Sequence, residues 1–255
     1  MPKIRSVVNQ KGGVGKTTTS INLAACLAYN NARVLLTDLD PQGNATSGLG
    51  LRAGKRSVYE VLIQDEPLDK AVLDTRQKRL KVLPADIRLS GAELELAQMP
   101  RREFRLREKL REAALPYDYI FIDCPPSLNL LTVNALTASD SVLIPIQCEY
   151  YALEGVTSLV NTLNRVRKGL NPGLKIEGIV LTMLDGRTNL GLQVVSEVKK
   201  HFKGAVYTSV IPRNVKLSEA PSHGLPIHLS DPKSKGAEAY SALAREFTKK
   251  QGART

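Results

Sequence analysis

The most informative segment of the sequence is Asn9-Gln10-Lys11-Gly12-Gly13-Val14-Gly15-Lys16-Thr17-Thr18. An apolar, strand-like run at residues 4–8 precedes it, and a helix-like run at residues 17–30 follows it. A strand, a glycine-rich turn and a helix in this order are typical of a phosphate-binding loop. Glycines let backbone N–H groups turn towards phosphate oxygens, and the helix N-terminus adds partial positive charge. We therefore expect the backbone of residues 12–18 to hold phosphates, with Lys16 on the β- and γ-phosphates and Thr17 on Mg²⁺.

The loop departs from the plain motif at its first position. The pattern G-x-x-x-x-G-K-[ST] has a glycine five residues before Gly15, where this chain has Gln10. A second lysine, Lys11, follows at the mouth of the loop. Two interpretations of Lys11 are open at this point: a solvated lysine beside a nucleotide, or the mark of a particular subclass of such loops.

Two further apolar runs end in carboxylates. Residues 34–37 lead into Asp38 and Asp40, which a Pro-Gln-Gly-Asn turn follows, and residues 119–122 lead into Asp123. Parallel strands present ligand-binding residues at their carboxyl ends, so Asp40 is expected to point towards the phosphates. A lone aspartate after an apolar strand is usually only a strand-end cap. Three strand ends suited to phosphate or Mg²⁺ in one chain indicate a shared site.

Strand-like and helix-like runs alternate along all 255 residues, without a Pro/Gly/Ser-rich linker between them. We predict a single α/β P-loop NTPase domain over residues 1–255, with a mostly parallel central sheet covered by helices on both faces. The predicted strands are residues 4–8, 33–37, 80–83, 119–122, 141–144, 176–182 and 205–210. The predicted helices are residues 17–30, 58–63, 90–97, 101–113, 128–137, 153–170, 190–202 and 234–250. The basic tail at about 249–255 is expected to fray.

Composition favours a cytoplasmic protein. Cys26, Cys124 and Cys148 are widely separated and form no C-x-x-C pair, so neither a disulfide framework nor a zinc site is expected. Residues 1–8 resemble a short strand rather than a signal peptide, and no apolar run approaches the length of a membrane span. The formal net charge of +11 suggests a polyanionic partner, either DNA or an anionic membrane surface.

Several segments resemble a known family. The loop at 11–18 looks like the deviant Walker A motif of the ParA/MinD class of P-loop ATPases. The acidic motif at 38–46 and the strand end at 122–127 resemble the second acidic motif and the Walker B segment of that class. Resemblance to the chromosomal ParA proteins of the Soj type is carried by segments 145–155, 181–189 and 210–221. The match extends in order from about Lys3 to the last helix.

The resemblance implies an ATPase that uses ATP and Mg²⁺ and is weak without a partner. Lys16 and Asp40 are implied catalytic residues, with Asp40 positioning the attacking water. Mg²⁺ is implied to be held by Thr17, Asp40 and Asp123, and Asp123 contacts it through a bound water. Asp38 is expected only to orient the loop.

The resemblance also implies a homodimer that forms on ATP binding. Lys11 is the third implied catalytic residue, because the matching lysine of this class crosses to the partner's nucleotide. Close approach of the two backbones would require glycine at position 12. Hydrolysis would then dissolve the interface. Pro212 and Asn214 are implied to contact adenine, the proline by packing on the ring and the asparagine by hydrogen bonds.

A chromosome- or plasmid-partitioning role follows from the resemblance. The ATP-bound dimer is expected to bind double-stranded DNA without sequence preference, on the nucleoid, and a ParB-type centromere-binding partner is expected to stimulate hydrolysis. The basic candidates for phosphate contact are Arg187, Arg213 and Lys216, then Lys199, Lys200, Lys203, Lys233 and Lys235. No helix-turn-helix signature is present, so binding is expected to depend strongly on salt. Ordinary surface charges are the alternative interpretation of these residues.

Two other functions remain open on the sequence. The first is a MinD-like, membrane-associated regulator of division-site placement, whose last helix would need a bulky apolar face. Here the stripe of Tyr240, Leu243, Ala244 and Phe247 is narrow, so we expect it to dock on the core and expect no stable membrane association. The second is a metabolic P-loop enzyme of the same fold, which would need a small-molecule acceptor site.

Overall fold

The computed structural model describes residues 2–112, 116–149 and 152–252. These residues form a central β-sheet with helices packed on it. Its strands are β1 (Lys3–Val7), β2 (Val34–Asp38), β3 (Leu73–Asp74), β4 (Leu80–Leu83), β5 (Tyr119–Asp123), β6 (Ser141–Gln147) and β7 (Lys175–Thr182). Their order in the sheet is β3-β4-β2-β5-β1-β6-β7. β3 pairs antiparallel with β4, and the other neighbours pair parallel.

Helices connect the strands within the same ranges. They are α1 (Lys16–Tyr29), α2 (Asn44–Gly48), α3 (Val58–Ile63), α4 (Leu89–Ala97), α5 (Arg105–Glu112), α6 (Leu130–Ala138), α7 (Ala152–Gly169), α8 (Asn189–His201), α9 (Val215–Glu219), α10 (Ile227–Ser230) and α11 (Lys235–Gly252). Short 3₁₀ turns occupy Leu68–Lys70 and Ala220–His223. None of the described helices is at once long enough and apolar enough to span a bilayer.

The sheet is apolar on both faces, which confirms the predicted fold class. Successive side chains of a strand point to opposite faces. In β5, Ile120 and Ile122 belong to the hydrophobic cluster on one face, while Phe121 between them belongs to the cluster on the other. The first cluster includes residues of α3 to α8, and the second includes residues of α1 and α11. A sheet covered on both faces explains why its strands lack polar alternation.

The predicted strand at 205–210 is wrong. This segment makes only an isolated parallel bridge between Val206 and Ile179. Its backbone leaves the ladder because the N–H groups of Thr208 and Ser209 donate to the carboxylate of Glu246, at 2.8 and 2.9 Å. A side chain from α11 therefore takes the place of a strand partner.

Other boundaries differ in smaller ways. The two-residue strand β3 and the short helices α2, α9 and α10 are not among the predicted elements. The helix predicted at 101–113 begins at Arg105 in the structure, and residue 113 lies outside the described residues. α11 continues through Gly252, so the first part of the predicted tail is helical, while residues 253–255 lie outside the described ranges.

The last helix docks on the core, as its narrow stripe predicts. Tyr240, Leu243, Ala244 and Phe247 are all buried. The ring of Phe247 lies between those of Tyr119 and Phe121 in β5, with centroid separations of 5.6 and 5.8 Å. Such aromatic contacts stabilise a core beyond simple area burial.

A buried charge adds to this docking. Arg5 of β1 is only 2% exposed, and its guanidinium carbon lies 4.8 Å from the ring centroid of Phe247. It donates to Gln251 at 2.6 Å and lies 3.5 Å from the carboxylate of Glu177 in β7. Burial lowers the pKa of Arg5, and the Glu177 carboxylate opposes that shift. α11 is thus fixed to both β1 and β7.

We predict that Phe247→Ala lowers the free energy of unfolding by about 3–5 kcal/mol, because it removes a fully buried ring and leaves a cavity. Urea denaturation followed by circular dichroism measures this change. The matched control is Lys249→Ala, an exposed position on the same helix, which should change the unfolding free energy by less than about 0.5 kcal/mol. A loss below about 1 kcal/mol in Phe247→Ala would contradict the docking of α11.

Candidate functional site

The turn between β1 and α1 forms a cradle around the side chain of Lys16. Gly13 and Gly15 have φ values of 73° and 86°, in the left-handed region that favours glycine. No side chain caps α1 at Gly15, so the N–H groups of its first turn remain available to an anion. The Lys16 amine folds back and donates to the carbonyl of Lys11 at 3.0 Å. The cradle therefore joins a positive amine to free backbone donors, as the sequence predicts for residues 12–18.

Neighbouring strands hold this loop in shape. The side-chain amide of Asn9 donates to the carbonyl of Pro145 in β6 at 2.7 Å, and its oxygen accepts from the N–H of Lys11 at 3.0 Å. The Thr182 hydroxyl, at the end of β7, donates to the carbonyl of Val14 at 2.9 Å. Asn9 and Thr182 are not among the predicted site residues, because the carbonyls that accept from their side chains, those of Pro145 and Val14, are more than a hundred residues away along the chain.

The outer part of the loop is open. A Cβ atom added at Gly12 or Gly13 would meet no described atom within 4 Å. Gly12 also lacks a positive φ. Neither packing nor backbone strain within the described chain therefore requires glycine at position 12. Any requirement must come from something that approaches the loop from outside.

Asp123 forms the acidic wall of the site. It is fully buried at the end of β5, and its Oδ1 accepts from the Ser20 hydroxyl at 2.8 Å. The Thr17 hydroxyl lies near this carboxylate, while Oδ2 is buried without a hydrogen-bond partner among the described residues. Burial, with the neighbouring charge of Asp38, raises the pKa of Asp123 to about 7. An unpaired buried carboxylate oxygen beside a hydroxyl fits the oxygen ligands that Mg²⁺ takes.

Asp40 lies in the loop after β2 and completes the acidic wall. Its carboxylate accepts from the N–H of Gln42 at 3.0 Å. The carboxylates of Asp123 and Asp40 both raise the pKa of Lys16, although burial lowers that pKa overall. The structure therefore brings Lys16, Thr17, Asp40 and Asp123 together, as predicted. Asp38 is fully buried and accepts from the backbone N–H groups of Asp40 and Thr46.

A cavity of about 350 Å³ opens beside the phosphate cradle. Its lining residues are Gly15, Thr18, Thr182, Met183, Ile211, Pro212, Arg213, Asn214, Val215, Leu217, Ser218, Pro221 and Tyr240. Pro212 offers a flat apolar surface, and Asn214 offers a side-chain amide. The Asn214 oxygen accepts from the N–H of Lys216 at 2.8 Å, which fixes the side chain as the cap of α9. Both predicted adenine-contacting residues therefore line one cavity next to the loop.

The Lys11 side chain lies on the rim of the site, whereas the Lys16 amine folds back onto the loop. The side chain of Lys11 is 40% exposed, and its amine lies 3.5 Å from the carboxylate of Glu149. The same carboxylate lies 3.6 Å from the guanidinium of Arg213. Glu149 thus holds two predicted functional residues. Glu149 is not among the predicted functional residues, because a lone glutamate after β6 carries no local signal.

The predicted DNA-contacting residues fall into separate groups. Arg187 binds both carboxylate oxygens of Asp185, at 2.9 and 2.7 Å, and lowers the pKa of that aspartate. The charge of Arg213 also acts on Asp185, so these two arginines are neighbours. Lys216 pairs with Glu219 at 2.8 Å.

The remaining basic candidates are exposed and dispersed. Lys200 pairs with Glu197 at 3.0 Å in the last turns of α8, at the opposite end of that helix from Arg187. The other exposed candidates are Lys199, Lys203, Lys233 and Lys235. The described structure therefore does not gather all of the predicted lysines into one patch.

The chain is similar in sequence and in fold to several known proteins. A family model described as an AAA domain matches residues 2–176. The sporulation initiation inhibitor protein Soj of Bacillus subtilis is 60% identical over 248 residues, covering 96% of this chain and 98% of the relative. The chromosome partitioning protein ParA of Myxococcus xanthus is 57% identical, covering 97% of this chain and 88% of the relative. A crystal structure described as cobyrinic acid a,c-diamide synthase from Mycobacterium smegmatis, with bound ADP and magnesium, superposes with a TM-score of 0.88 at 37% identity, covering 100% of this chain and 97% of that one.

Proposed function

Because the chain belongs to the ParA/Soj family of chromosome-partitioning ATPases, we propose that it cycles between a monomer and an ATP-bound dimer on DNA. The dimer binds double-stranded DNA without sequence preference and is associated with the nucleoid in the cytoplasm. A ParB-type centromere-binding protein stimulates an otherwise weak hydrolysis of ATP and releases the dimer from DNA. This cycle drives the partitioning of a chromosome or a plasmid.

The placement of the two loop lysines is the observation that carries the proposal. The Lys16 amine folds into its own loop, whereas the Lys11 side chain is 40% exposed on the rim. A lysine on the rim can reach a nucleotide bound by a second subunit, where its charge would stabilise the phosphates as an arginine finger does. The open space at Gly12 supports the close approach of that subunit. ATP therefore acts as a ligand that joins two chains.

The acidic wall supports the use of Mg²⁺. Thr17, Asp40 and Asp123 would hold the ion, with Asp123 contacting it through a bound water. When bound, Mg²⁺ neutralises charge on the β- and γ-phosphates. The residues of this chain supply the rest: the loop N–H groups and Lys16 orient the phosphates, and Asp40 orients the water that attacks. Pro212 and Asn214 hold the adenine in the adjoining cavity.

Contact with DNA is proposed for Arg187, Arg213 and Lys216 first, and for Lys199, Lys200, Lys203, Lys233 and Lys235 as secondary residues. A net charge of +11 supports binding to the DNA backbone. The carboxylates that now pair with the first three are solvent-accessible. Exposed ion pairs contribute only about 0–1 kcal/mol, so DNA phosphates can displace them at low energetic cost.

The described structure gives less support to the two other candidate functions. A membrane-associated regulator would need an apolar face on its last helix, but the apolar stripe of α11 is buried in the core. The crystal structure described as a synthase is 37% identical to this chain, whereas the partitioning relatives reach 57 and 60%. ATP turnover in the absence of any small-molecule acceptor would further separate this chain from a synthase.

The proposed role of Asp40 predicts an ATP-trapped dimer. Asp40→Ala should retain ATP but lose hydrolysis, because the water-positioning carboxylate is absent while the phosphate cradle remains. Gel filtration with ATP and Mg²⁺ should show a stable dimer, alongside a phosphate-release assay. Asp69→Ala, which removes an exposed carboxylate far from the site, should hydrolyse ATP like the wild type. If Asp40→Ala stays monomeric at concentrations where the wild type dimerises, its assignment is wrong.

The two lysines should separate in binding experiments. Lys16→Ala should abolish nucleotide binding by the monomer, because Lys16 contacts the phosphates of its own subunit. Lys11→Ala should leave the affinity of the monomer for ADP nearly unchanged while impairing ATP-driven dimerisation and hydrolysis. Calorimetric titration with ADP makes this comparison directly. A loss of ADP affinity in Lys11→Ala as large as that in Lys16→Ala would mean that Lys11 binds the nucleotide of its own subunit and does not reach the nucleotide of a second subunit.

DNA binding should weaken equally for all sequences when the exposed arginines are removed. Arg187→Ala and Arg213→Ala should each lower the slope of log affinity against log salt by about one unit, with ATP-driven dimerisation intact. Filter binding or anisotropy across a salt series measures the slope. The matched control is Arg76→Ala, an exposed arginine near the amino end of β4, which should bind DNA like the wild type. Wild-type slopes in both test variants would move the DNA surface elsewhere.

A further inference from the structure

The carboxylate of Asp38 is buried in a place where a carboxylate is costly. Asp38 ends β2, is fully buried, and sits in register beside Asp123 of β5. Burial raises the pKa of Asp38 to about 6, and its charge in turn raises the pKa of Asp123. Two adjacent buried carboxylates destabilise a fold unless hydrogen bonds compensate them. The cost of burying the Asp38 carboxylate must therefore be offset by the contacts that it makes.

Its hydrogen bonds go to Asp40 and to Thr46, which lies in the helix α2 that follows the Asp40 loop. Oδ2 of Asp38 accepts from the backbone N–H and the hydroxyl of Thr46, at 2.8 and 2.7 Å. Oδ1 accepts from the backbone N–H of Asp40 at 3.2 Å. One carboxylate thus holds the beginning and the end of the segment 40–46. Hydrogen bonds to an ionised acceptor are among the stronger ones in proteins, so this contact restrains the segment tightly.

Thr46 connects this carboxylate to the rest of the sheet. Its hydroxyl, while donating to Asp38, accepts from the N–H of Ala85 just beyond β4, at 3.1 Å. The segment also approaches the same residue closely at Gly43, where a Cβ would lie 2.9 Å from the carbonyl oxygen of Ala85. The segment 40–46 is therefore held both by the end of β2 and by the residue that follows β4. Neither Asp38 nor Thr46 is among the residues that line the cavity beside the phosphate cradle.

From this geometry we infer that Asp38 and Thr46 are positioning residues, which set the carboxylate of Asp40 for hydrolysis without touching nucleotide or metal. The inference rests on the proposed ATPase function. Misplacing a reacting group by about 1 Å can cost on the order of 100-fold in rate. Breaking the hydrogen bond between Asp38 and the Thr46 hydroxyl should therefore slow hydrolysis much more than it weakens nucleotide binding, because Lys16 and the backbone of the phosphate loop remain in place.

Thr46→Val is the sharpest test, because it replaces the hydroxyl with a methyl group and leaves both the Asp38 and the Asp123 side chains in the protein. We expect kcat for ATP hydrolysis to fall by about 10- to 100-fold, with ADP affinity within about threefold of the wild type. In the nucleotide-free protein, amide hydrogen exchange should quicken in residues 40–46. Thr46→Ser, which keeps the hydroxyl, should restore both the rate and the exchange protection.

A matched control separates positioning from general stability. Thr75→Val removes a hydroxyl that donates to the carbonyls of Gln77 and Leu80 at the amino end of β4, whereas Thr46 bonds to Ala85 beyond the carboxyl end of that strand. It should lower the melting temperature without changing kcat or the exchange of residues 40–46. If Thr46→Val does not fold, Thr46→Ala removes the same hydroxyl without adding a methyl group and takes its place.

The outcomes are distinguishable. A wild type that does not hydrolyse ATP would overturn the proposed function, and this inference with it. Normal hydrolysis by both the wild type and Thr46→Val would overturn the inference alone, and so would a failure of Thr46→Ser to restore the rate. An equal loss of ADP affinity and of kcat in Thr46→Val would show that the residue supports the whole site rather than the placement of Asp40.

Discussion

The parallel register of β1, β2 and β5 is the constraint on which the site depends. Val7 pairs with Asp123, and Asp38 pairs with Asp123 from the other side, so three strands end at the same level of the sheet. The phosphate loop continues from the end of β1, Asp123 stands at the end of β5, and the loop that carries Asp40 leaves the end of β2. A one-residue slip would turn Asp123 to the opposite face of the sheet. The two apolar clusters prevent that slip, because each strand buries alternate side chains in both of them.

This register has an electrostatic cost that the surroundings partly offset. Asp38 and Asp123 are brought together in the core, where burial raises the pKa of both. Asp38 is compensated by donors from its own loop, whereas one oxygen of Asp123 has no partner among the described residues. The difference separates two roles. A carboxylate whose bonding capacity is filled by protein donors restrains the backbone, and one with an open oxygen beside Lys16 and Thr17 is suited to take a cation.

Local patterns explain how much the sequence could predict. The phosphate loop, the acidic strand ends and the cover of helices on both faces depend on short runs of residues, and the structure has them where the runs lie. Features that depend on distant partners were missed. The segment 205–210 has strand-like composition, but Glu246 of α11 captures its N–H groups. Thr182 and Glu149 act through residues that are distant along the chain and that only the fold brings near: Val14 for Thr182, and Lys11 and Arg213 for Glu149.

The site also divides into a rigid part and a part that is easily rearranged, and the division follows burial. Lys16, Asp38 and Asp123 are buried, and each is hydrogen-bonded to neighbouring loop or helix groups, so moving them would leave polar groups unsatisfied. The rim behaves differently. Glu149 shares its carboxylate between Lys11 and Arg213 at 3.5 and 3.6 Å, and all three side chains are at least 40% exposed. Exposed pairs of this kind exchange for water at little cost in free energy. The chemistry can therefore remain in a fixed geometry while the residues proposed to meet a second subunit and DNA stay free to change partners.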